Sequence, residues 1–137
     1  MGFLKHLILK VQSMSSAKQV FSKPDVDPIP ALMQAKAAGK FDMVYAGTSD
    51  GKMLVSNPDW KAPDGYDNRQ RPWYKDAKAA GKLAVTAPYE DASTHALLIS
   101  IAEPYDFGVN KGVISGDVVI SDLITNVNKI QSEGISG

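Results

Sequence analysis

Cysteine is absent from the 137-residue chain. That excludes disulfides, thiolate metal sites and thiol catalysis. Histidine is scarce, with only His6 and His95, and no H-E-x-x-H pair occurs, so a histidine-based metal centre has no ligand set. The pattern G-x-S-x-G occurs at Gly47-Thr48-Ser49-Asp50-Gly51, but in an expected hairpin and not at the strand-to-helix turn of a nucleophile elbow. Asp91, Ser93 and His95 are close in sequence, but neighbours on a strand do not make an ordered triad, which is defined by geometry and roles. Neither an enzyme nor a cofactor is expected. An excess of charge is also missing: 15 basic and 15 acidic residues cancel, leaving no electrostatic footprint for nucleic acid. Long apolar runs are lacking. The most apolar N-terminal stretch, 3–11, is interrupted by Lys5, His6 and Lys10. It falls well short of the roughly 20 residues a helical span needs. It also lacks the cleavage pattern of a secretory signal. This stretch is therefore not expected to insert into a membrane.

What is present is an ordinary globular balance, 44% hydrophobic and 22% charged, enough for one domain with a core. Phe3, Leu4, Leu7, Ile8, Val11, Met14 and Phe21 keep a three-to-four spacing, which predicts an amphipathic helix to about Ser22. Pro24, Pro28 and Pro30 punctuate the chain after it. An Ala-rich helix is expected over 31–38, closed by Gly39 as its C′ residue. Strands are expected over 41–46 and 52–56, joined at Asp50-Gly51. A loop with Pro58, Trp60 and Pro63 leads to a helix that starts at Pro72 and stops at Gly81. Further strands are expected over 83–87, 94–103 and 112–120. A closing helix from Ser121 would bury Leu123, Ile124, Val127 and Ile130. Antiparallel strands with helices packed beside them make an α+β domain. A five-stranded antiparallel sheet of the PAS-like type, with flanking helices and the N-terminal amphipathic helix, fits this order best. The expected organisation is an N-terminal helix and linker over 1–30, a ligand-binding module over 31–132, and a tail over 133–137 leading to a further downstream region.

The densest chemistry lies between Tyr66 and Asp91. Both arginines of the chain, Arg69 and Arg71, stand there, with Trp73, Tyr66, Tyr74 and Tyr89. A guanidinium is a rigid planar fork that suits a carboxylate or phosphate; an ammonium is not. Arg71 just before a helix start, with an indole N–H two residues on, suits an anion. Asp91 beyond one strand and Asp117 within another suit a cation. The tyrosines suit aromatic walls with a polar tip. Plainer readings stand beside these: Arg71 paired with a surface acid, Trp73 and Tyr74 as core, Tyr66 and Tyr89 as loop packing, Asp91 as the cap of its own turn. Asp117 resists a plain reading, because a carboxylate inside an apolar strand needs a partner or a wet face.

The run Tyr66-x-x-x-x-Arg71-x-Trp73-Tyr74, then Tyr89-x-Asp91, then Asp117 resembles the amino-acid-binding pattern of double Cache domains. These are extracytoplasmic sensors of bacterial chemoreceptors, with relatives on histidine kinases and cyclic-di-nucleotide enzymes. The segments 41–48 and 86–94 resemble the surrounding strands, and Arg71-Pro72-Trp73-Tyr74 is the most diagnostic tetrad. The resemblance covers about 31–130 and corresponds to the membrane-distal module of the two. It implies Arg71 and Trp73 at the ligand carboxylate, Tyr66, Tyr89, Asp91 and Asp117 about the ammonium, and Tyr74 in the same pocket. It further implies an extracytoplasmic position in an inner-membrane receptor, and a homodimer through the N-terminal helix. His95 departs from it, standing at a turn position where glycine is expected. The leading expectation is a sensor module for a small zwitterion, an amino acid. The alternatives are a sensor of an amine or organic acid on a kinase or cyclic-di-nucleotide enzyme, and a dimerisation module without a ligand.

Overall fold

The computed structural model describes residues 2–121; the expected closing helix beyond Ser121 and the tail lie outside them. Two helices come first, α1 (Gly2–Lys18), continued by a 3-10 turn over Gln19–Ser22, and α2 (Ile29–Gly39). The hairpin β1 (Met43–Thr48) and β2 (Met53–Val55) is next. Then come a 3-10 turn at Asn68–Gln70, α3 (Pro72–Ala80), and the strands β3 (Ala84–Val85), β4 (Tyr89–Glu90), β5 (Leu97–Asp106) and β6 (Lys111–Val119). All pairings are antiparallel, in the order β2-β1-β6-β5-β3, with β4 also on the β5 edge. The sheet is therefore five positions wide, as expected, with a sixth short strand sharing one edge.

Strand alternation gives the sheet two working faces. Val44 and Ala46 of β1, Ile101 of β5, and Ile114 and Val118 of β6 turn toward α1 and α2, meeting Met14, Phe21, Leu32 and Phe41. Tyr45, Ala102 and Val113 turn the other way and pack with Trp73, Tyr74 and Ala77 of α3. Asp117 shares that second face, two and four residues along β6 from Ser115 and Val113. Gly116, between them, faces the other way. A Cβ there would lie 2.5 Å from the Phe41 ring, so the absent side chain lets that ring rest on the sheet.

Three expectations shift in detail. Gly39 is the last residue of α2 and not the residue beyond it; Lys40 takes the left-handed conformation instead, at φ 54. A Cβ at Gly39 would meet the Phe41 ring at 2.5 Å, so packing, not chain reversal, calls for glycine. The buried Lys10 completes this helix end, its Nζ donating to the carbonyls of Gly39 at 2.6 Å and Lys40 at 2.8 Å, where unpaired carbonyls favour a cation. Burial pushes its ammonium below the usual lysine value.

The strand expected over 83–87 is shorter, β3 at Ala84–Val85, and an additional strand, β4, begins beyond Pro88, which has no N–H to continue a ladder. Thr86 bridges the gap: its N–H donates to the Ser100 carbonyl at 2.9 Å, and its hydroxyl accepts from the Ser100 N–H at 2.9 Å. β5, expected to stop at Glu103, continues through Pro104 to Asp106. Pro104 has the parity of Ser100, whose N–H points toward the β3 side, and β3 ends opposite Ala102. The missing donor of Pro104 therefore falls on an open edge.

Candidate functional site

The α3 face of the sheet carries a cleft lined by Met43, Tyr45, Met53, Trp60, Tyr66, Arg71, Trp73, Tyr89, Asp91, Ala92, Ser93 and Asp117. Counting its mouth, it encloses about 290 Å³ free of atoms, but its interior is only about 20 Å³. A groove of about 280 Å³ between α1 and α2 is far roomier, yet is lined by alanine, serine, glutamine and one leucine, with no charge. The chemistry lies in the narrow cleft.

Asp117 forms its floor. β6 runs between β1 and β5, so the side chain at 117 is flanked on both sides; its register partners are Met43 and Ser100. Only 3% of the residue is exposed. The Tyr45 hydroxyl donates to Oδ1 at 2.6 Å and the Ser100 hydroxyl to the same oxygen at 2.7 Å. Oδ2 takes no hydrogen bond from the described residues. Behind this pair, the Ser115 hydroxyl donates to the Tyr45 oxygen at 3.2 Å, and the hydroxyls of Tyr89 and Ser100 lie 2.6 Å apart. Burial pushes the Asp117 carboxyl up to about 7; the hydroxyls of Tyr45 and Ser100 pull it back, and Asp91 and Asp42 raise it further. Burial also raises the phenols of Tyr45 and Tyr89, and each is raised further by the negative charge of Asp117.

The two arginines have separate fates. Arg69 is committed to Asp67, with Nε to Oδ1 at 2.9 Å and Nη2 to Oδ2 at 3.1 Å, the fork geometry that guanidinium favours. Arg71 forms no ion pair among the described residues. Its Nη2 donates to the Glu90 carbonyl at 2.9 Å, and its guanidinium carbon lies 5.5 Å from the centre of the Tyr89 ring. It caps the start of α3 in extended conformation, with φ −84 and ψ 150. The residue before a proline is biased to that region, which turns the side chain away from the helix and onto the cleft.

Trp73 is both core and wall: 2% exposed, edge-on to Tyr45 at 4.8 Å, and lining the cleft. Burial raises the Tyr66 phenol to about 12, against the pull of the Trp73 indole beside it. Gly47 makes room for it; a Cβ there would lie 2.7 Å from the indole and 2.3 Å from the Asn68 amide. Trp60 meets Tyr66 edge-on at 5.6 Å and closes the opposite side. Asp91 lines the cleft and also caps its own turn: Oδ2 accepts from the backbone N–H of Ser93 at 2.9 Å, and from the N–H and hydroxyl of Thr94 at 2.7 and 3.1 Å.

Of the residues singled out in the sequence, Tyr66, Arg71, Trp73, Tyr89, Asp91 and Asp117 meet in this cleft. Tyr74 does not line it. One helical step past Trp73, its ring is buried in the core between α3 and the sheet, and its phenol lies within electrostatic reach of Arg69 and Asp67. Tyr45, Ser100 and Ser115 were not singled out. Their signal was polar residues at same-face positions on neighbouring apolar strands, Ser115 and Asp117 two apart on β6 and Ser100 within Leu-Leu-Ile-Ser-Ile of β5. That signal becomes readable only once the register is known.

An antiparallel sheet with helices on both faces, and a cleft carrying separated positive and negative poles, define a ligand-binding sensor module of the PAS or Cache type. The family described as methyl-accepting chemotaxis protein-like, first PDC sensor domain, matches residues 11–125, and the chain belongs to it. The methyl-accepting chemotaxis protein McpG of Pseudomonas putida is 40% identical over 126 residues, 92% of this chain and 20% of McpG. PctB of Pseudomonas aeruginosa is 33% identical over 136 residues, 98% of this chain and 21% of PctB. The chain thus spans about one fifth of the length of these curated relatives. Among solved structures, the ligand-binding domain of the Pseudomonas fluorescens chemoreceptor CtaA in complex with L-valine is 31% identical. Its TM-score is 0.79, over 90% of this chain and 57% of that one. That of the Pseudomonas aeruginosa receptor PctC in complex with GABA is 28% identical, with a TM-score of 0.80 over 91% and 62%. This region is a chemoreceptor sensor domain and not an enzyme.

Proposed function

We propose that this sensor domain binds the α-amino acid group of a free amino acid in the cleft between β1, β6 and α3. The carrying observation is a guanidinium without an acidic partner, Arg71, lining the same cleft as the buried carboxylate of Asp117. An α-amino acid presents the reverse pair. Its carboxylate meets Arg71, with the Trp73 indole behind it. Its ammonium meets Asp117 and Asp91, with Tyr66 and Tyr89 as cation–π walls. Charge-assisted hydrogen bonds contribute about 1.5–3 kcal/mol each, so two poles plus modest apolar contact account for a micromolar Kd, about −8 kcal/mol. The solved neighbours, bound to L-valine and GABA, support a ligand carrying both a carboxylate and an ammonium.

In the parent receptor the domain occupies an extracytoplasmic position. Among the described residues no helix is long and apolar enough to cross a membrane. Leu4, Leu7 and Ile8 leave an apolar stripe exposed on α1, at 60%, 36% and 46%; this supports α1 as the contact with a second copy. Ligand binding shifts an equilibrium between two arrangements of the module and this helix.

A thermal-shift series with the common amino acids tests the reading. Stabilisation should grow with ligand concentration. Arg71→Ala and Asp117→Ala should each weaken the response by about 30-fold or more, the equivalent of the roughly 2–5 kcal/mol lost when one buried charge is left unpaired. If no amino acid raises the melting temperature, or a responding one is unaffected by both substitutions, the assignment is wrong.

A further inference from the structure

Resting on that reading, we infer that the cleft selects amino acids with uncharged, aliphatic or thioether side chains, and that Met43 and Met53 set this selectivity. Three charged residues line the cleft, Arg71, Asp91 and Asp117. All three are engaged at the poles for the ligand's backbone groups, and Asp91 also commits Oδ2 to its own turn. No lysine, histidine, glutamate or second arginine is among the lining residues.

What remains for a ligand side chain is Met43, Met53, Trp60 and Ala92, with the Ser93 hydroxyl and the Tyr66 phenol at the turn and loop. Met43 is the register partner of Asp117, beside the ammonium pole. Met53 is the partner of Gly47 on the far side of Tyr45. Since residues 43, 45 and 47 share one face of β1, the two thioethers bracket Tyr45 along the wall, and both are only partly buried. A charged side chain placed against them is desolvated without a partner. An apolar one gains contact area. Methionine is unbranched and reshapes around guests of different outline, so several aliphatic side chains fit the same wall.

Titration calorimetry on the intact domain separates the possibilities. Leucine, isoleucine, valine and methionine should bind at least about 10-fold tighter than aspartate, glutamate, lysine and arginine. A lost methylene contact in an apolar pocket changes affinity by about 10-fold or more. Met53→Ala and Met43→Ala should therefore lower affinity for leucine by about that factor and for alanine by less, narrowing the leucine-to-alanine ratio. Far-UV circular dichroism and a cooperative urea transition show that each variant is folded. If charged amino acids bind within about threefold of leucine, the selectivity is overturned while the zwitterion site stands. If the leucine-to-alanine ratio is unchanged in both variants, the role of the methionines is overturned. If no amino acid binds the unmutated domain, the zwitterion site itself falls, and this inference with it.

Discussion

A carboxyl with 3% exposure, receiving two hydroxyls on one oxygen, carries its titration into the neutral range. Burial lifts Asp117 from an ordinary 3.8 to about 7. Between those values the folded chain holds a proton that the unfolded chain has released. By linkage, stability is then fully present below about pH 4 and is lost as pH rises toward 7, by at most about 4 kcal/mol. Asp117→Asn should flatten this slope, with urea midpoints at pH 5 and pH 8 drawn together; an unchanged slope would place the titration elsewhere. An ammonium needs the ionised carboxylate, so amino-acid affinity in the unmutated domain should rise between pH 5 and pH 8. Arg71 shows a different arrangement of charge. Arg69 two residues earlier pairs with Asp67, while Arg71 lines the cleft and donates to the Glu90 carbonyl.

At the scale of elements, the turn between β4 and β5 fixes one pole. Asp91 gathers the N–H groups of Ser93 and Thr94, while His95 stands just beyond in the left-handed region at φ 62, its Nδ1 2.6 Å from Glu90 Oε1. Left-handed backbone costs a non-glycine residue about 1–2 kcal/mol, partly offset by the entropy glycine loses on folding. The histidine–glutamate pair is largely exposed, at 74% and 63%, and exposed pairs contribute little. His95→Gly should therefore raise stability by about 0.5–1 kcal/mol, read as a higher urea midpoint, with ligand affinity unchanged. A lower midpoint would mean the ring contact outweighs the backbone strain. The glycine expectation at 95 came with the family resemblance, and the left-handed backbone there is its physical reason. Legible in local turn chemistry were α3, bounded by Pro72 and Gly81, and the hairpin at Asp50-Gly51. The break at Pro88 and the run of β5 through Pro104 were not legible, since each depends on which side of the strand has a neighbour. The seven residues named for the pocket came from a motif. Tyr74 left that set because one helical step separates wall from core, and Tyr45, Ser100 and Ser115 escaped it because cross-strand register is invisible along a single chain.

Across the whole molecule, one sheet serves two bodies. Its first face carries α1 and α2, pinned by Lys10 on the end of α2 and by Lys18 and Ser15 on Glu103 of β5. Its second face carries the cleft, where Ser100 of that same β5 holds Asp117. Two residues of one strand thus lie between a contact with the N-terminal helix and a contact with the floor of the cleft. On the proposed function, a displacement of Ser100 as Asp117 exchanges a proton for an ammonium would act on a strand that α1 also grips.

The interior of the cleft, about 20 Å³, has room for about one water molecule, less than the smallest amino acid. Sheet strands and α3 form one side; the segment 56–67, which carries Trp60 against Tyr66, forms the other. On the proposed function, an amino acid would enter only as that segment parts. The observed association rate in stopped-flow fluorescence of Trp60 and Trp73 should level off with rising amino-acid concentration at the opening rate of the segment, instead of climbing linearly toward the diffusional limit. On the proposed function, the filling of the cleft would then be timed by the protein's own clock, however high the concentration outside.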